Sequence, residues 1–104
     1  MVDLDGLPGK DLVERGLLDV EHGKKSVESL LVTMAAPRLR DLGLPVSEAL
    51  DSEEPELSLY ALLGASREPD PYSRYNALRR ELASFVRALE HRVARDRRAN
   101  RAAR

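Results

Sequence analysis

Six apolar residues, Tyr75, Leu78, Leu82, Phe85, Leu89 and Val93, recur at spacings of three and four. That spacing puts them on one face of a helix five turns long, because 3.6 residues complete a turn. A helix with such a stripe buries it against other helices. The core must be built mainly from leucine: there are eighteen Leu and eight Val, but no Ile, no Trp, one Phe and one Thr. Scarcity of β-branched and aromatic residues disfavours sheets, whose pleated surface those residues fit best. Leu, Ala, Arg and Glu favour helices. The expected fold is therefore all-α: a compact bundle of four to five helices with a long C-terminal helix. At 104 residues the chain reads as one domain.

The long helix is expected to start at Asp70 as cap with Pro71 in its first position, and to run to about residue 98. Its apolar stripe stops at Val93. A helix from 71 to 98 would be about 42 Å long, longer than a small domain is wide. Residues 1–94 therefore read as the helical domain, and 95–104 as a basic helix extension or tail.

Upstream, "PGKDLVERGLLDVEH" predicts a first helix over residues 8–22, with Pro8 at its first position and Gly23 as its stop. Val13, Gly16, Leu17 and Val20 share its buried face. A glycine inside a helix costs about 1 kcal/mol relative to alanine, so Gly16 is expected to mark a close helix crossing. Ser26 caps a second helix reaching to about residue 36. Val27, Leu30, Leu31 and Met34 line one of its faces, and Val32, Ala35 and Ala36 spread apolar surface over the rest. A helix apolar nearly all round belongs at the centre of a bundle, and any part left uncovered suits an oligomer interface. Pro37 kinks or ends it. "PRLRDLG" suggests a further short helix closed by Gly43. Ser52, Glu53, Glu54 and Pro55 have the character of a helix start, and that helix should end at Gly64. "ASREPDP" reads as a loop.

Motifs for chemistry are missing. "GLPGKD" has two residues between its glycines where a phosphate loop has four, and Asp11 follows its lysine, so it reads as a helix-entry turn. His22 and His91 form no zinc-binding spacing. The "DSEEPE" acids lack the alternation and central glycine of a calcium loop. No serine stands beside a recognisable base and orienting acid, and the tyrosines read as core-edge residues. Without cysteine, disulfides, thiol catalysis and thiolate metal sites are excluded. The expectation is a non-enzyme with no cofactor and no bound metal. The acidic opening "MVDLDGLPGK" has no apolar leader segment, and the longest apolar run, Leu30–Ala36, is far short of the roughly twenty residues that a membrane span needs. A cytoplasmic protein without membrane contact is expected.

Charge is the one functional signal. Residues 1–73 carry seven Lys/Arg against fifteen Asp/Glu, a net of −8; residues 74–104 carry ten Arg against three acids, a net of +7. "RVARDRRANRAAR" alone, at 92–104, holds six arginines. Arginine's planar fork pairs with carboxylate or phosphate through two parallel hydrogen bonds. Arg87, Arg95, Arg97, Arg98 and Arg101 are the candidate binding residues. The expected function is that of a small interaction or regulatory protein working through helix packing and charge complementarity. Its partner would be another protein or a second copy of itself. The alternative is a nucleic-acid-binding accessory using the basic arm, although the arm has no aromatic residues for base stacking and the acidic body repels polyanions. A third reading is that the arginines are only a solvated helix end, suited to the negative end of the helix dipole.

Overall fold

The computed structural model describes residues 3–47, 55–65 and 69–102. These contain five helices and no strand: α1 (Lys10–Glu21), α2 (Val27–Met34), α3 (Ala36–Asp41), α4 (Pro55–Ala65) and α5 (Pro71–Ala102). The all-α bundle with a long C-terminal helix is thus the fold of the chain. The expected cap at Ser52 with Glu53 and Glu54, most of the "ASRE" loop, and Arg104 lie outside the described residues.

α1 begins at Lys10 and not at Pro8. The reason is Gly9, which caps the helix with a left-handed backbone (φ 79°) and so separates Pro8 from the helical register. Val13, Gly16 and Val20 are buried as the spacing predicts, and Leu17 is half-buried. α1 closes with Gly23 in the left-handed region, Lys24 N–H donating to the Asp19 carbonyl (2.8 Å) and Gly23 N–H to that of Val20 (3.0 Å). This paired return satisfies carbonyls that the helix end leaves open. Gly43 closes α3 the same way, with Leu44 N–H donating to Leu39 and Gly43 N–H to Arg40, both at 3.0 Å.

Ser26 caps α2 reciprocally: its Oγ accepts from Ser29 N–H at 3.1 Å, while its own N–H donates to Ser29 Oγ at 2.7 Å. The same Ser26 hydroxyl donates to the buried Asp19 carboxylate at 2.7 Å, tying the end of α1 to the start of α2. α2 stops at Met34, shorter than expected. Pro37 has no N–H to continue the ladder, so the helix restarts as α3 with Pro37 in its first turn.

α2 is the central helix, packed against α1, α3, α4 and α5. Leu30, Leu31 and Val32 are fully enclosed, in one core cluster with Val13, Leu39, Leu59, Leu78, Phe85 and Leu89. α4 runs through Gly64 to Ala65. Gly64 is not in the left-handed backbone that a glycine stop uses, so it does not end the helix. Asp70 caps α5 through Ser73, accepting from its N–H (3.1 Å) and its hydroxyl (2.7 Å). Both bonds favour the ionised carboxylate and hold the Asp70 pKa below its ordinary value.

α5 carries its stripe into the core as far as Val93, then continues as an exposed helix to Ala102. It is four residues longer than expected, about 48 Å at 1.5 Å per residue. The molecule measures 53 × 27 × 19 Å, and its radius of gyration of 14.9 Å exceeds the 13 Å or so of a compact chain this size.

Candidate functional site

The five candidate arginines all lie exposed on α5, but the fold divides them. Arg97 and Arg101 stand on the projecting end. Arg95 and Arg98 border a shallow hollow of about 420 Å³ whose other wall is Gly6, Leu7 and Pro8, so they are less remote from the body than the end of the apolar stripe suggests. Arg87 belongs elsewhere, on the rim of a larger groove between α5 and the α2–α3 junction.

Around the helix axis, Arg95, Arg97, Arg98 and Arg101 spread over an arc of about 160° facing away from the stripe. The line of the stripe itself continues as Asp96 and Asn100, which are polar and exposed. The segment therefore has no apolar face left to bury. None of the five candidates makes a side-chain hydrogen bond or ion pair with another described residue.

Other arginines are tied into the fold. Arg92 Nη1 donates to the carbonyls of Asp3 (2.8 Å) and Asp5 (2.7 Å), strapping the N-terminal segment across α5. Arg40 donates to the Val46 carbonyl at 3.1 Å. Arg38 Nε pairs with Glu90 at 2.9 Å, joining α3 to α5. These partners lie up to 89 positions away, beyond the reach of local spacing.

Sequence spacing gives no sign of the groove. Its volume is about 470 Å³; Met34, Ala35, Leu82, Ala83 and Val86 form its floor and walls. It exists because α2 breaks at Ala35 and because the two alanines leave the facing walls low. Arg38, Arg79 and Arg87 rim it, with Glu90 as the one acid. Arg79 also lies over the Tyr75 ring, 5.6 Å from its centroid, and Tyr75 meets Tyr60 edge to face at 6.1 Å. Tyr75 and Arg79 stand one helical turn apart, which lets the guanidinium reach back over the ring.

The carboxylates with shifted titration serve capping and pairing. Asp5 is held below its ordinary pKa by Lys10, whose Nζ lies 2.8 Å away, and Lys10 is raised in return. Asp19 is lowered chiefly by the Ser26 hydroxyl, against the opposing effect of its burial. His22 and His91 are both exposed, the first at the C-cap of α1 and the second beside the Arg95–Arg98 hollow. Among the described residues no three His, Asp or Glu side chains gather as a metal site, and no helix is long and apolar enough to cross a membrane. No protein family, characterised protein or solved structure matches this chain.

Proposed function

We propose that this chain is a small non-enzymatic interaction or regulatory protein that engages an acidic surface of a partner protein through the arginine-bearing end of α5. The observation that carries this reading is the set of Arg95, Arg97, Arg98 and Arg101, exposed on a continuous helix and without side-chain partners among the described residues. A helix holds its side chains at fixed spacing, so less ordering is left to complete on binding. Each guanidinium offers a fork to a carboxylate, and a cluster of them speeds encounter with an acidic surface.

A nucleic-acid partner is the second reading. It is favoured by Arg80, Arg87 and Arg98, which share the outer line of α5 over about 27 Å and would track a phosphate backbone. The absence of aromatics from the projecting segment and the acidic N-terminal two-thirds of the chain weigh for protein.

Recovery of the tagged full-length chain from its host, with and without nuclease, separates the two. A co-purifying protein that resists nuclease, dissociates with salt and is lost from an Arg97→Glu/Arg101→Glu variant supports the first reading. Material lost on nuclease treatment supports the second. Equal recovery by the parent and the variant removes both.

A further inference from the structure

α1 presents a second charged face, opposite in sign to the groove. Asp11, Glu14, Leu18 and Glu21 fall at i, i+3, i+7 and i+10 and make one exposed ridge on the side away from buried Val13, Gly16 and Val20. Leu18 is 48% exposed, a large apolar side chain set among three acids. Among the described residues only Glu14 of these acids has a cation within 4 Å, Lys10 at 3.9 Å, which Asp5 engages more closely; Asp11 feels the same Lys10 charge from further away. The ridge spans about 15 Å along its axis, and the groove from Arg79 to Glu90 spans about 16 Å. One surface is an apolar knob flanked by carboxylates; the other is an apolar trough flanked by guanidinium groups.

We infer that the Asp11–Glu14–Leu18–Glu21 ridge of one copy docks into the arginine-rimmed groove of a second, so that the chain assembles with itself head to body. Leu18 enters the trough over Met34 and Val86, while the ridge acids meet Arg79 and Arg87. This follows the helix-in-groove mode, in which an amphipathic helix supplies anchors about a turn apart. The two surfaces differ, so every copy offers both halves and the contacts either close into a ring or run on as a chain. The interface uses neither the projecting arginines nor their partner, and therefore goes beyond the function proposed above.

Sedimentation velocity of the full-length chain across a concentration series tests it. Self-association is expected at about 0.01 M ionic strength and should weaken at about 1 M, as the screening length falls from roughly 30 to 3 Å. Glu14→Arg/Glu21→Arg and Arg79→Glu/Arg87→Glu change exposed side chains, and each double variant alone should associate at least tenfold more weakly. Mixing the two matches both contacts, the reversed ridge with the reversed groove and the parent ridge with the parent groove, and should yield alternating mixed oligomers that neither variant forms alone. A chain lacking residues 95–104 should associate like the parent, whatever becomes of the arm's own partner. A parent monomeric at every concentration and ionic strength overturns the inference. So does an oligomer indifferent to salt, which would point to an apolar surface such as exposed Leu57 and Tyr60 on α4. Charge variants that associate like the parent, or that fail to pair when mixed, overturn it as well.

Discussion

Gly16 of α1 lies so close to Glu28 of α2 that a Cβ at position 16 would stand 2.5 Å from the Glu28 carbonyl oxygen and collide with a methyl of Val32. Both obstacles are anchored: one is backbone, the other a fully buried side chain. Gly16→Ala would gain about 1 kcal/mol in helix propensity, yet it forces α1 and α2 apart at their closest approach. Overpacking of this kind costs about 1–3 kcal/mol, and the rigidity of the obstacles places the net effect on the destabilising side. A denaturant melt in which Gly16→Ala equals or exceeds the parent in stability would show that the helices do not cross there.

Phe85 and Leu82 share the α5 stripe but differ in setting. Phe85 is fully enclosed, whereas Leu82 forms part of the groove wall. Phe85→Ala should therefore cost about 3–5 kcal/mol, and Leu82→Ala about 2 kcal/mol, the low end of the range for leucine, because the groove side already lacks packing atoms. Chemical denaturation of both variants checks the order as well as the size. A Leu82→Ala cost under about 0.5 kcal/mol would mean the stripe faces water at that point.

Ser26 serves the cap of α2 and the carboxylate of Asp19 at once. Ser26→Ala should cost about 1–2 kcal/mol from the lost cap alone. The Asp19 contribution adds a pH dependence. Its folded pKa is depressed below the ordinary 3.8, so its stabilisation is present above the unfolded value and is lost as pH falls through the folded one. The deficit of Ser26→Ala against the parent should consequently be larger near neutral pH than at strongly acidic pH. A deficit constant across that range would mean the Ser26–Asp19 bond does not form in solution.

What the sequence reveals and what it hides divide by distance along the chain. The stripe of α5, the caps at Ser26 and Asp70, the stop at Gly23 and the crossing at Gly16 each show in a repeat of three and four or in a single residue's local chemistry, so periodicity and local chemistry expose them. Helix ends were displaced where one backbone state decided the outcome, as with the left-handed Gly9 ahead of α1. The groove was invisible because it joins Met34 and Ala35 to residues some fifty positions away, and Arg38 finds Glu90 over the same separation. For the arginines, composition marked the right helix but could not tell Arg92, which holds the N-terminal segment, from Arg95 three residues on.

That difference between Arg92 and Arg95 sets where the chain can be shortened. Beyond Val93 every described side chain is exposed, and the line of the stripe passes into Asp96 and Asn100. Removing residues 95–104 deletes five Arg and one Asp, taking the net charge from −1 to −5, but removes no buried apolar side chain among the described residues. The shortened chain keeps Arg92 and its bonds to the Asp3 and Asp5 carbonyls. Its thermal midpoint should therefore stay within a few degrees of the parent, a shift that corresponds to under about 1 kcal/mol for a domain of this size. Cutting instead before Arg92 removes the strap and Val93 together, and should lower the midpoint clearly further. Calorimetry on the two truncations decides the matter. Equal losses would make the projecting segment part of the fold. A stable 1–94 chain that no longer retains its partner would assign Arg95, Arg97, Arg98 and Arg101 to binding, and a stable chain that keeps every interaction would leave them a solvated helix end.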